Sequence, residues 1–340
     1  MTESSAPQGF PAPGPELPLP VFATAATGLP PHYYSDPLVT APGLRLTGWW
    51  MRLRMTLRQI WRPLLIIAAL AAVPSTVLGL YQASQSLNGV MSIRPGYTLV
   101  AGSLLSLVLG FVADAIGLGA STWLVVRRAV GQPAGLGGAL SHGLRRAAPM
   151  LGWQLLYYAG GALGLVLLFG LSQCIGVAGI LLALPVALIG ALTFSVFGAL
   201  IQTIVAVRGS DSPIRMSWGL VSANFGVASG RILLTFLIGV APSVVIVGAA
   251  TIATEVTHPG FAGSMSVALL TGAANVWSGM ILPVGLLLTY AELRARAMPM
   301  LASDILDAME PRPVDWSTRD WSTWSQTRSP LPSRSPAPGE

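Results

Sequence analysis

Apolar positions run through this chain in long unbroken blocks, without the short periods of a half-buried strand or a surface helix. Pro63 to Ile93 holds no charged residue, Pro95 to Val126 holds only Asp114, and Ala147 to Val207 holds none. Ile232 to Thr254 is again free of charge, and Val256 to Ala291 holds only the titratable His258. A helix needs about 20 apolar residues to cross a hydrocarbon core. The blocks therefore predict spans over 63–82, 98–124, 149–170, 177–206, 231–253 and 266–291. The short turn Leu171-Ser172-Gln173-Cys174 makes a hairpin of the third and fourth. Pro74, Pro185, Pro242 and Pro283 fall inside spans, where neighbouring helices tolerate a kink. The expected fold class is all-α: a polytopic membrane protein with about six transmembrane helices.

The segments between the blocks are amphipathic. In residues 44–61, Leu46, Trp49, Trp50, Leu53, Leu57 and Ile60 recur at helical spacing, and Arg54, Arg58 and Arg62 line another face. This predicts an elbow lying in the membrane interface. Trp49 and Trp50 would sit at headgroup level, with Arg54, Arg58 and Arg62 toward anionic phosphates. Leu140-Ser141-His142-Gly143-Leu144 and Met216-Ser217-Trp218-Gly219-Leu220 share a pattern, each after a turn containing a proline, Pro133 or Pro213. The chain then reads as three units, each an interfacial elbow followed by a hairpin of spans.

Charge sets the orientation. All 19 basic residues are arginine, which removes the phosphate-loop and Schiff-base chemistry that needs lysine. With abundant Ala, Gly and Pro, this composition points to a GC-rich bacterial coding bias. Arg45, Arg52, Arg54, Arg58 and Arg62 precede the first span. Arg127, Arg128, Arg145 and Arg146 separate the second and third; Arg208, Arg215 and Arg231 separate the fourth and fifth; Arg294 and Arg296 follow the sixth. The other side holds Arg94 alone. The positive-inside rule places the arginine side, and both chain ends, in the cytoplasm of a bacterial cell. The start carries no cleavable-leader pattern, so the first span is expected to persist as an anchor. Charged residues make up 9% of the chain against about 25% in soluble domains. The net charge of +6 is accordingly assigned to topology and anionic lipid, not to nucleic acid. Residues 1–43 form an expected disordered, Pro-rich tail, 44–300 the membrane domain, and 301–340 a second, mostly disordered tail. The tryptophans Trp316, Trp321 and Trp324 could dock a protein partner there.

Gly131-Gln132-Pro133, Ser217-Trp218-Gly219-Leu220-Val221 with Asn224-Phe225, and Thr289-Tyr290-Ala291-Glu292-Leu293-Arg294-Ala295-Arg296 carry a resemblance. They look like the bacterial membrane domain fused to some glycerophosphoryl diester phosphodiesterases, and like the related YciC-like membrane proteins. The resemblance covers about 44–300 and names Pro133, Ser217, Trp218, Asn224, Tyr290, Glu292, Arg294 and Arg296 as motif residues. Glu292 stands where that motif often has Asp. What it implies is a six-helix fold with cytoplasmic ends. The phosphodiesterase activity belongs to a separate barrel for which this chain has no room.

No catalytic constellation is legible. His32, His142 and His258 lie on different segments and Cys174 is the sole cysteine, so neither metal nor cofactor is expected. Gly160/Gly164 and Gly226/Gly230 fit close helix packing. Asp114 stands apart, because a carboxylate at the bilayer centre costs about 2.5–3.5 kcal/mol on insertion scales. Gln202 and Asn275 are its nearest polar candidates. Asp114 is either a substrate or proton site or a hydrogen-bonded lock between helices. Two functions follow, with an intramembrane enzyme as a third that has the least support. One is a non-catalytic module that organises lipid or a partner protein, with a bundle packed shut. The other is a small transporter or lipid flippase, with a polar cavity reaching Asp114.

Overall fold

The computed structural model describes residues 36–39, 46–87, 96–175, 177–208, 212–257, 261–297 and 300–310. All the regular structure among them is helical: α1 Leu46–Leu87, α2 Gly96–Ala129, α3 Leu136–Ile175, α4 Val177–Arg208, α5 Pro213–Ala223, α6 Phe225–Gly239, α7 Ala241–Thr257, α8 Phe261–Ala297 and α9 Ala302–Met309. Four described stretches are long and apolar enough to cross a membrane: Leu46–Ser84, Val108–Ala129, Phe225–Thr254 and Phe261–Ala297. The predicted third and fourth spans fall on α3 and α4, of 40 and 32 residues. His32, Arg45, Arg94, His258 and Trp316, Trp321 and Trp324 lie outside the described residues.

Elbow and span are continuous in α1, but the helix bends where the sequence placed their junction. Pro63 has no N–H to donate, and its ring crowds the carbonyl of Gln59. Ile60 absorbs the conflict at φ −124°, ψ 15°. The predicted fifth span is likewise two helices, α6 and α7, of 15 and 17 residues. Val240 closes the first by donating its N–H to the Phe236 carbonyl at 2.7 Å, two residues before Pro242.

The elbow's faces differ from the expectation in one respect. Trp49 is fully buried, together with Leu53, Thr56 and Ile60, while Trp50, Met51, Met55 and Trp61 are exposed. At 100° per residue, adjacent tryptophans cannot share a face. The inward one joins the core and only Trp50 stays on the outer side with the exposed Arg54, Arg58 and Arg62. Trp49 is therefore removed from the lipid-contact set. The two matched pentapeptides also turn different ways. Ser141 and Leu144 are exposed while Ser217 and Leu220 are buried, and His142 is buried while Trp218 is 62% exposed.

Small residues let the long helices touch; of the predicted glycines, Gly160 meets Phe194 of α4. Gly164, Gly226 and Gly230 meet nothing within 4 Å. Other contacts fall elsewhere. Along the α1–α8 crossing, Gly79 meets Ala268, Gly272 meets Thr76 and Gly279 meets Ala68, in antiparallel order. Between α2 and α3, a Cβ on Gly143 would collide with the Ile116 carbonyl oxygen and stand 3.0 Å from the Ala120 nitrogen. Backbone cannot yield as a side chain can, so Gly143→Ala is expected to lower stability by about 1–3 kcal/mol. Gly152→Ala, with open space around it, is the control and should be neutral or stabilising. Thermal unfolding in detergent reads the difference.

The packed unit extends past both predicted ends of the membrane domain. Leu38 and Val39 are 0% and 2% exposed, and in α9 Ile305 and Leu306 are 0% and 5% exposed. Both segments belong to one core cluster with Trp49, Leu53 and Tyr290.

Candidate functional site

The bundle is not packed evenly. Near its arginine-bearing end, Leu64, Leu124, Leu200, Ile204, Leu287 and Tyr290 are wholly buried and form a dry plug. Beside this plug, residues of α1, α2, α3, α4, α6 and α8 line a cavity of about 510 Å³, within the roughly 300–1,000 Å³ usual for small-molecule sites.

Its lining brings together Asp114 from α2, Gln202 from α4 and Asn275 from α8, the three polar residues singled out in the sequence. Asp114 stands about 20 Å along α2 from Arg127 at helical rise. Its side chain is exposed into the cavity, as is that of Asn275. Asn275 donates through Nδ2 to Ser75 Oγ at 3.2 Å, and Ser75 in turn donates to the Ala72 carbonyl at 3.0 Å. Asn275 thereby ties α8 to α1.

The sequence reading missed further polar groups in the wall. Gln154 and Tyr157 on α3, Ser121 on α2 and Ser195 on α4 all face the cavity. Ser121 is 1% exposed, and neither its Oγ nor Gln154 Oε1 has a hydrogen-bond partner. Buried polar groups are almost always paired, so unpaired ones in a cavity wall mark room for something that pairs them. The signal was there in α3, where Gln154 and Tyr157 stand three apart on one helical face, but only the neighbouring helices make that face a wall. Tyr157 is held flat by an aromatic neighbour, its ring 4.0 Å from that of Phe194 at 12°. Gly198 makes the approach possible, since a Cβ there would run into the Tyr157 ring.

A second polar cluster occupies the plug. Glu292 is 2% exposed and pairs with Arg231, 5% exposed, at 2.5 Å from Nε to Oε2, and with Arg296 Nη2 at 3.0 Å. Arg52 of α1 lies within electrostatic reach of both Glu292 and Asp36. Asp36 accepts from the Leu38 and Val39 amides at 2.8 and 2.9 Å, and its other oxygen accepts the Ala302 N–H at 2.7 Å. It thereby ties the amino-terminal segment to the first turn of α9, where a negative charge also suits the helix dipole. Arg231, counted in the sequence as a topology signal, is the buried partner of Glu292.

The resemblance-bearing residues are structural here. Gly131, at φ +75°, ends α2. Its N–H bonds the Arg128 carbonyl at 3.0 Å and the Gln132 N–H bonds that of Arg127 at 2.9 Å, with Pro133 following. Ser217 Oγ donates to the Phe197 carbonyl at 3.2 Å, and Trp218 stacks on Phe197 at 5.2 Å. Asn224 is the joint between α5 and α6, its carbonyl receiving the Val227 and Ala228 amides. Tyr290 is fully buried, and Arg294 is half-buried beside it. None of these residues lines the cavity. Among the described residues no three His, Cys, Asp or Glu side chains gather as a metal site would require.

Described residues that are all helical, with four stretches long and apolar enough to cross a membrane, fit a multi-pass membrane protein. No protein-family model, curated protein or solved structure matches it.

Proposed function

We propose that this chain is a small carrier of the bacterial cytoplasmic membrane, a transporter or lipid flippase whose substrate enters the cavity at Asp114. The single observation supporting it is that cavity, which joins Asp114 to Gln202 and Asn275 and is closed at one end by the plug. A module that only organises lipid or a partner needs no cavity around a carboxylate, so the preference moves to the transporter reading. The charge-free run of α3 and α4 supports six crossings in all. The arginine distribution supports cytoplasmic ends, with the plug on the cytoplasmic side and the cavity accessible from the opposite side. The likeness to the phosphodiesterase-associated membrane domain is retained as a proposal about fold.

Gly110 lines the cavity one turn from Asp114 and has no neighbour within 4 Å of a built Cβ. Gly110→Cys in a Cys174→Ser background is expected to react with a membrane-impermeant maleimide in right-side-out vesicles and to resist it in inside-out ones. Resistance in both would return the protein to the shut-module reading. Reaction only in inside-out vesicles would reverse the orientation.

The outward face of the elbow, Trp50 with Arg54, Arg58 and Arg62, is proposed to rest on anionic headgroups. Arg54→Glu with Arg58→Glu should weaken that contact by about 1 kcal/mol for each arginine lost. Co-purified anionic lipid, measured by mass spectrometry, is expected to fall; an unchanged lipid complement would remove the proposal.

A further inference from the structure

We propose that the cavity receives a small organic cation, an amine or quaternary ammonium group, with Asp114 as its counter-ion. The inference rests on the carrier reading above and adds the chemical class of the substrate.

Three features of the lining select that class. First, Asp114 is the one formally charged residue among the described residues that line the cavity, and no described arginine lines it. Arg231 and Arg296 of the plug pair with Glu292 instead. An anion would meet an unopposed carboxylate, whereas a cation relieves the cost of holding one away from bulk water. Second, part of the lining is aromatic. Tyr157 and Tyr158 line the cavity with their rings 5.5 Å apart at 74°, and Tyr158 stacks on Phe111 at 5.0 Å. Aromatic faces attract ammonium groups, and most strongly where water is scarce. Third, the remaining polar groups are amides and hydroxyls, among them the unpaired Ser121 Oγ and Gln154 Oε1. These can hydrogen-bond a hydroxyl or an N–H, but together with one carboxylate they cannot supply the several hard anionic oxygens that bind a divalent ion in a dry site. A neutral ligand would use the amides and leave the carboxylate without purpose.

The same ammonium chemistry occurs in a free solute and in a phospholipid headgroup, and the test separates them. The reporter is the Gly110→Cys variant, lacking Cys174, in right-side-out vesicles of phosphatidylglycerol. Tetramethylammonium and choline are expected to slow its modification in a saturable manner, while the neutral isostere 3,3-dimethylbutanol at equal concentration does not. Including phosphatidylcholine in the vesicles tests the headgroup. Protection by the soluble cations identifies a solute site, and protection by the lipid alone identifies a headgroup site; each supports the cation class. Asp114→Asn preserves shape and hydrogen bonding and is expected to raise the protecting concentration by roughly tenfold or more. Thermal unfolding should show that this variant remains folded. Equal protection by dimethylbutanol, or protection unchanged in Asp114→Asn, would overturn the inference. So would a cysteine that reacts freely and is shielded by no cation. That last result leaves the carrier reading standing, because the reaction itself reports the open cavity.

Discussion

Glu292→Ala is expected to destabilise the bundle by about 3–5 kcal/mol, the usual cost of leaving a buried charge without its partner. The reason is local. Glu292 is the carboxylate on which Arg231 and Arg296 converge, with Arg52 in electrostatic range. Removing it leaves like charges facing one another, and that of Arg231 is 5% exposed. Arg231→Ala should cost less, since Glu292 keeps Arg296 at 3.0 Å. The double variant Arg231→Met with Glu292→Leu should recover much of the loss, because a buried ion pair and a well-packed apolar pair of similar volume differ little. Unfolding in detergent, followed by circular dichroism for the wild type, both single variants and the double variant, gives the cycle. A Glu292→Ala protein as stable as the wild type would show that the pair does not hold α6 to α8.

Leu38→Ala is expected to cost about 2–5 kcal/mol, as for a leucine truncated in a closed core. Leu38 is fully buried between segments remote in sequence, in one cluster with Trp49, Tyr290 and Ile305. Its position is set by Asp36, whose carboxylate orders the Leu38 and Val39 amides and caps α9. Asp36→Ala should therefore lose part of the same stability. It should also raise hydrogen exchange in residues 302–309, whose first N–H loses its acceptor. Exchange measured in both variants separates the two effects: Leu38→Ala loosens the whole plug, Asp36→Ala chiefly α9. Neither change touches the cavity lining, so Gly110→Cys should remain reactive in both backgrounds.

How much of this was legible in the sequence depends on the range of the force concerned. The length of the apolar blocks, the bend before Pro63 and the break near Pro242 follow from residues adjacent in the chain. Uncharged runs of that length must leave water, and a proline removes a hydrogen bond wherever it stands. Asp114, Gln202 and Asn275 were likewise visible, because a polar side chain in such a run is costly enough to need an explanation. What the sequence did not contain is partnership. Whether Asp114 would be a lock or a site depended on which side chains the other helices of the bundle present to it. In the tertiary structure Asn275 and Ser75 join α8 to α1, and Asp114 lines the cavity. Trp49 and Trp50 looked equivalent until packing buried one of them. Arg231 looked like a topology signal until Glu292, far along the chain, came within 2.5 Å of it. Asp36 to Val39, inside a proline-rich stretch that composition reads as a tail, became core because α9 returns to the same end of the bundle. Composition and periodicity report what each residue requires of its surroundings; only the fold decides which residues supply it, since burial and charge pairing act between segments that the chain keeps far apart.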